Sequence, residues 1–293
     1  MPVSALALVV LAGLIHAIWN IVAKKAGGDV RFAAFTSLLM MCIWAPLGLW
    51  LGWSVVPAWG ATEWAFIAVS GLVHVLYYVV LLRGYRVADL TVVYPLARGS
   101  GPLLSSLVAI FLLGERISVS GVLGIAAVVA GVFLIAGGPQ LFRTAHDPAK
   151  REGIRKGMAY GLLTGIFIAG YTVVDGYAVK VVLMSPILLD YFGVFARLPL
   201  LLPSVLRNRA EAAVLWRRQW KHAVLVAVIS PVGYVMVLFA MQMAPLSHVA
   251  PAREVSMLFA ALIGGQLLGE GDRLLRIVGA ACIASGVMAL ALG

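Results

Sequence analysis

The sequence predicts an all-α integral membrane protein, with ten transmembrane helices forming two inverted five-helix repeats. Three observations carry this. Of the 293 residues, 62% are hydrophobic and only 12% charged, with mean hydropathy +1.02. A soluble protein carries about 25% charged residues, so this chain has too few to cover a soluble surface. Ten apolar stretches have the length of a span, and the second half falls into register on the first.

In order, the stretches are residues 3–23, 32–53, 63–83, 91–113, 118–137, 157–178, 186–206, 222–243, 247–268 and 273–292. The first has no preceding basic residue and no small-residue cleavage site, and it ends at Lys24 and Lys25. It reads as a retained helix, not a secretory signal. The fourth and ninth are interrupted by arginine but are otherwise long enough. Cys42 and Cys282 lie in apolar stretches and read as small buried hydrophobes, not as a disulfide or metal pair.

A shift of 155 residues places Ala97-Arg98 on Ala252-Arg253 and Leu113-Gly114-Glu115 on Leu268-Gly269-Glu270. Gly124 and Gly131 fall on Gly279 and Gly286 at the same register. The repeats then span 1–140 and 157–293, joined by a polar connector at 141–156 that carries Pro148. Five helices per repeat is an odd number, so the second repeat must lie upside down relative to the first. Small residues also stripe the sixth stretch (Gly157, Gly161, Gly165, Ala169), a pattern that lets helices approach closely.

Of the 22 lysines and arginines, 17 lie in odd-numbered loops and two, Arg116 and Lys180, in even-numbered ones. The positive-inside rule makes the odd loops cytoplasmic and turns both termini outward. The net charge of +10 belongs to these loops and to anionic lipid headgroups, and does not mark a nucleic-acid binder.

Arg98, Arg197 and Arg253 sit inside apolar stretches, with Glu254 beside Arg253 and Asp175 near the end of the sixth. At roughly 2.5–3.5 kcal/mol each, three uncompensated arginines would cost roughly 8–10 kcal/mol. They must therefore meet acidic partners or an aqueous pathway. Buried pairs of Arg253 or Arg197 with Glu254 or Asp175 are one solution. A polar pathway flanked by Arg98 and Arg253 is the other. Pro95 and Pro251 precede the two matched arginines. Each removes a backbone hydrogen bond, and breaks at matching places in two halves point to a transporter's site. His16, Trp19 and Asn20 share a face of the first helix, His74 sits mid-membrane with Tyr77 and Tyr78, and Tyr171 lies one turn from Asp175.

No metal-ligating His-Glu-x-x-His and no phosphate-binding glycine loop occurs, and Gly99-Ser100-Gly101 only partly matches a nucleophile elbow. The expectation is no catalytic residue, no metal and no cofactor.

Two five-helix repeats, each closing on Leu-Gly-Glu before a glycine-rich last helix, resemble the drug/metabolite transporter superfamily, EamA type. His16-Ala-Ile-Trp-Asn20, Tyr94-Pro-Leu-Ala-Arg-Gly99 and Tyr171-Thr-Val-Val-Asp-Gly176 look like one bacterial branch of it. The resemblance implies a secondary carrier in the bacterial inner membrane, often an exporter of amino acids, other metabolites or drugs. It implies a central cavity between the repeats, lined by the first, third, fourth, sixth, eighth and ninth helices. On this chain that cavity would take Asn20, His74, Tyr78, Arg98, Tyr171 and Arg253. Ten-helix members are usually drawn with both termini cytoplasmic, the opposite of what the loop charges argue here.

Together these give an alternating-access exporter of a small polar metabolite such as an amino acid or organic anion, working in the lipid bilayer as a monomer or homodimer. The expected substrate site comprises His16, Trp19, Asn20, His74, Tyr78, Tyr94, Arg98, Tyr171, Arg197 and Arg253. Asp175 or Glu254 would take a coupling proton or an ammonium group. The competing readings are a scaffold or assembly subunit with no substrate, a channel, and a multidrug efflux carrier for cationic compounds.

Overall fold

The computed structural model describes residues 1–27, 29–88, 90–136, 151–268 and 273–293, and no strand occurs among them. In chain order the helices are α1 (Val3–Lys25), α2 (Val30–Ile43), α3 (Ala45–Gly52), α4 (Ala61–Val87), α5 (Leu90–Phe111) and α6 (Val119–Ile135). The second half follows with α7 (Arg151–Lys180), α8 (Pro186–Leu206), α9 (Arg209–Met243), α10 (Leu246–Ala252), α11 (Val255–Leu268) and α12 (Arg273–Leu292). Their boundaries have local causes. Asp29 caps α2, its carboxylate accepting from the N–H groups of Arg31 and Phe32 at 2.9 and 3.1 Å. Ser118 caps α6 by accepting from Gly121, and Asn208 caps α9 by accepting from Glu211.

Among the described residues seven segments are long and apolar enough to cross a membrane, or eight if the bent pair α2–α3 is one span. The protein is a multi-pass helical membrane protein. Two more helices complete the bundle: α5, 22 residues with two internal prolines, and the shorter apolar α6, 17 residues.

Several expected stretches are modified. The second bends by 56° at Trp44, where Pro46 starts a new helix. Helix α7 begins at Arg151, inside the expected connector, whose residues 137–150 lie outside those described. Helix α9 starts at Arg209 because its basic first turns continue the helix toward water. The proline breaks do not match as expected. Helix α5 runs unbroken through Pro95 and Pro102, whereas the second half breaks at Arg253–Glu254. There the backbone tightens: Glu254 N–H bonds the Pro251 carbonyl and Met257 N–H the Glu254 carbonyl, each three residues back. Neither cysteine is fully buried; both are free, Cys42 exposed on the helix surface and Cys282 half-buried.

Loop contacts fix the two faces of the bundle. The Met1 ammonium donates to the Ala291 carbonyl at 2.8 Å, so the two ends of the chain share a face. An even number of crossings follows. On the opposite face Arg31, after α1, pairs with Glu211, after α8, at 2.8 Å.

The halves interlock in a reciprocal pattern. Helix α1 packs on α9 and α4 on α7; α5 packs on α7 and α1 on α11; α2 packs on α9 and α4 on α8. Exchanging the halves maps each pair onto its counterpart. Helices α6 and α12 cross on their glycines. A Cβ on Gly131 would sit 2.5 Å from the Gly279 carbonyl oxygen, and one on Gly124 2.9 Å from that of Gly286. The contacts thus pair Gly124 with Gly286 and Gly131 with Gly279, the crossed combination of the sequence register. The α7 stripe has a similar use: Gly157 and Gly161 seat Val92, Val93 and Leu96 of α5.

The glycine crossing is directly testable. Gly131→Leu should destabilise the purified protein by about 1–3 kcal/mol through overpacking against backbone. The check is the thermal unfolding midpoint in detergent, with the surface change Val122→Leu as a control that leaves it unmoved.

Candidate functional site

The candidate site forms where the α10–α11 break meets α5, α7, α4 and α1. Arg98 of α5 pairs with Glu254 at 2.8 Å, and their side chains are 12% and 1% exposed. The guanidinium also reaches Ser256 Oγ at 3.4 Å. The pair is incompletely satisfied. Arg98 Nε and Glu254 Oε1 lack a hydrogen-bond partner among the described residues, and Glu254 Oε2 meets the guanidinium at ion-pair distance without hydrogen-bond geometry. A buried charge pair with unused hydrogen-bonding capacity is a costly way to hold two halves together, and it leaves polar atoms open to a ligand.

Arg253 is buried too, but no carboxylate lies within ion-pair distance among the described residues. Its guanidinium lies over the Tyr171 ring, 5.8 Å from the centroid. The sequence register explains the asymmetry. The residue after Arg253 is Glu254, and the residue after its counterpart Arg98 is Gly99. One half supplies a carboxylate to the other half's arginine, and receives none in return.

Tyr171 also stacks on His74 with centroids 4.1 Å apart, and meets the edge of Tyr77 at 5.7 Å. His74 Nδ1 lies 2.9 Å from the Ser70 carbonyl, which can only accept, so Nδ1 carries the proton. His16 of α1 lies within the electrostatic reach of both Arg98 and Arg253. Asp175, one turn beyond Tyr171 on α7, is 1% exposed and accepts a hydrogen bond from the Tyr234 hydroxyl of α9. Tyr94 donates to the sulfur of Met257 at 3.2 Å.

Other sequence-predicted residues lie apart from this centre. Trp19 reaches the centre only through the His16 ring, edge-on at 4.8 Å, and otherwise packs against the separate cluster of Phe32, Ala223 and Val226. Asn20 is exposed and donates to its own helix at the His16 carbonyl. Tyr78 donates to the Asp29 carbonyl at 3.0 Å, at the mouth of the bundle. Arg197 pairs with Asp190 of its own helix at 3.4 Å and bonds the Gly193 carbonyl. The expected pairings of Arg253 or Arg197 with Glu254 or Asp175 are therefore replaced by Arg98–Glu254 and Arg197–Asp190. Asp190 also lines a largely apolar cavity of about 210 Å³ with Trp44, Tyr191 and Phe239. That cavity is distinct from the arginine centre. No group of three or more metal-ligating side chains occurs among the described residues.

Sequence reasoning missed Ser70, Asp190 and Tyr234, because each is one polar residue in an apolar run with no spacing signal. It also missed the task of Glu115. Just past the end of α5 at Phe111, Gly114 has φ of +70°, which suits glycine, and Glu115 N–H closes back on the Ala109 carbonyl. That turn aims the Glu115 carboxylate at the start of α10. It accepts the N–H groups of Leu246 and Ser247, each at 2.8 Å, and Lys180 Nζ at 3.1 Å. Lys180 in turn bonds the Ala244 carbonyl. The matching Gly269 and Glu270 lie outside the described residues.

A helical bundle with paired repeats and a charged centre in an apolar interior defines a polytopic helical membrane protein. The sequence profile of the EamA-like transporter family matches residues 3–137 and again 155–292, and the chain belongs to that family. No curated protein matches it. A solved structure described as "Crystal structure of protein" covers 100% of this chain and 98% of its own, with TM-score 0.74 at 17% identity, a likeness of fold alone.

Two outcomes follow. Burial raises the Glu115 carboxyl, but the Ser247 and Leu246 N–H groups, the Ser247 hydroxyl and Lys180 outweigh it and hold it below the usual carboxylate range. A carboxylate held low stabilises the fold above its unfolded value near ~4.3, and that stability is lost as pH falls through the folded value. Glu115→Gln should cost about 2 kcal/mol near neutral pH and flatten this acid limb, read as thermal midpoint against pH. Arg98→Ala, which strands Glu254, should cost about 3–5 kcal/mol, and the double change Arg98→Met with Glu254→Leu should restore most of it.

Proposed function

We propose that the protein is an alternating-access secondary carrier for a small polar metabolite bearing a carboxylate or similar anion. Its architecture on this reading is ten spans in two inverted repeats. The reciprocal packing of the halves, the even number of crossings and the crossed glycine contacts support it. The single observation that carries the function is Arg253: a buried guanidinium at the junction of the repeats, over the Tyr171 ring and with no carboxylate at ion-pair distance among the described residues. A permanent charge that the protein leaves unpaired in an apolar interior calls for an anion from outside.

On this reading Arg253 binds the anionic group, and Arg98, held by Glu254, contributes its free Nε. Tyr171, Tyr77 and His74 form the wall against the rest of the molecule. A scaffold without substrate would pair its intramembrane charges completely, which Arg253 does not fit. The basic face that holds Arg31 would be cytoplasmic by the positive-inside rule, putting the termini outside, in a bacterial inner membrane.

The test is a thermal-shift screen of amino acids and organic acids on the purified protein, followed by uptake of the stabilising compounds into proteoliposomes. Arg253→Ala should lower transport about 10–100-fold, the loss of a hydrogen bond to a charged group. Unchanged transport in both Arg98→Ala and Arg253→Ala overturns the anion site.

A further inference from the structure

The centre and the neighbouring α8 pair together hold three arginines and three carboxylates, and these six groups form only two ion pairs: Arg98–Glu254 and Arg197–Asp190. Arg253 is the cation left over and Asp175 the carboxylate left over. They do not reach each other. Arg253 sits over the Tyr171 ring, and Asp175 lies one helical turn away on α7. We infer that Asp175 is the exchangeable proton site of this carrier, and that its proton and the anion at Arg253 bind together and cross in the same direction. This rests on the anion site proposed above.

The geometry suits a group that exists in two protonation states. Asp175 is 1% exposed, its Oδ1 has no hydrogen-bond partner, and its Oδ2 accepts from Tyr234. The Ser70 hydroxyl flanks the carboxyl group and also lies 3.4 Å from His74 Nδ1. A serine hydroxyl rotates, so it can donate to the carboxylate or accept from the carboxylic acid. Tyr234 then needs no rearrangement between the two states. The neighbours that share the field are Ser70 and His74 on α4, Tyr171 on α7, Tyr234 on α9, Arg197 and Asp190 on α8, and Arg253 at the break. On α5 the nearest charge is Arg98, already paired to Glu254. His74 is the other titratable group here, but it is committed as a donor to the Ser70 carbonyl and stacked on Tyr171. The proton comes from water on the open side and leaves to water on the other. Only the O–H bond on Asp175 forms and breaks.

The coupling has a definite sign. With Asp175 ionised, Arg98 and Arg253 balance Glu254 and Asp175, and the Arg197–Asp190 pair is neutral by itself. With Asp175 protonated, the centre carries one net positive charge next to the unpaired arginine. The protonated form therefore attracts an anion more strongly, by roughly tenfold for charges about 10 Å apart in a protein interior. Linkage is reciprocal, so the anion tightens proton binding by the same factor. A more acidic exterior then loads the carrier from outside and drives uptake, opposite to the export that the family resemblance implies.

Reciprocity makes the inference testable without a known substrate. Infrared spectroscopy of the purified protein, titrated between about pH 5 and pH 9, should show the C=O stretch of a protonated carboxylic acid that disappears on the alkaline side. Asp175→Asn should abolish that band, whereas Glu254→Gln and His74→Gln should keep it. In Arg253→Gln the band should persist to about one pH unit more alkaline, the tenfold coupling seen from the proton's side. A band that survives Asp175→Asn, one that never titrates, or one whose midpoint ignores Arg253→Gln overturns the inference. Should Asp175→Asn fail to fold, Tyr234→Phe serves instead: removing the donor to Oδ2 must move the midpoint to more alkaline pH, and an unmoved midpoint again overturns it. The two readings fail separately. Lost transport in Arg253→Ala with an unmoved band keeps the anion site and discards the coupling.

Discussion

The Arg98–Glu254 pair joins the two repeats at the point where the second repeat's helix breaks. Its geometry shapes much of the centre. To reach Arg98, Glu254 leaves the regular helix, and the three-residue turns around it swing Arg253 toward the Tyr171 ring. The pair is buried and poorly hydrogen-bonded, a weak source of stability and a strong source of specificity of arrangement. The larger share of the holding is done by apolar burial around Val9, Val128, Leu238 and Leu290 and by the glycine crossing of α6 and α12. Because that packing is firm, the centre can carry charge that is not fully paired.

Much of this was legible in the sequence. Spanning helices read directly from hydropathy, since apolar length is what a bilayer selects. The matched arginines also read directly, because charge in an apolar run is conspicuous. What did not read was which carboxylate meets which arginine. Sequence neighbours on a helix diverge by about 100° per residue, so Arg253 and Glu254 face different partners although they are adjacent. For Arg197 the sequence offered Glu254 or Asp175, and the packing of α8 supplies Asp190 from its own helix instead. Tyr234 was invisible for a different reason: a single tyrosine in an apolar helix most often marks nothing.

The Leu-Gly-Glu motif shows how a repeat marker can carry a physical task. In the sequence it served to align the halves. In the structure Gly114 supplies the left-handed residue that stops α5, and the turn it makes delivers Glu115 to the first N–H groups of α10. The carboxylate thus ties the end of the first repeat's fourth long helix to the start of the second repeat's broken one. Lys180 adds the end of α7 to the same knot. A carrier that opens toward this face must loosen contacts of this kind, so the motif sits where rigid bodies would part.

The ammonium of Met1 rests on the Ala291 carbonyl, two residues from Gly293. Topologically the chain is close to a ring that happens to be cut there. The two halves that match the family are joined by residues 138–154. Joining the existing ends with a short linker and opening the chain in that segment would give a polypeptide that begins with the second repeat and finishes with the first. Every helix contact described above would remain available to it, because the packing treats the halves as interchangeable in order although not in charge. What distinguishes the two halves at the centre is the glycine that follows one arginine and the glutamate that follows the other.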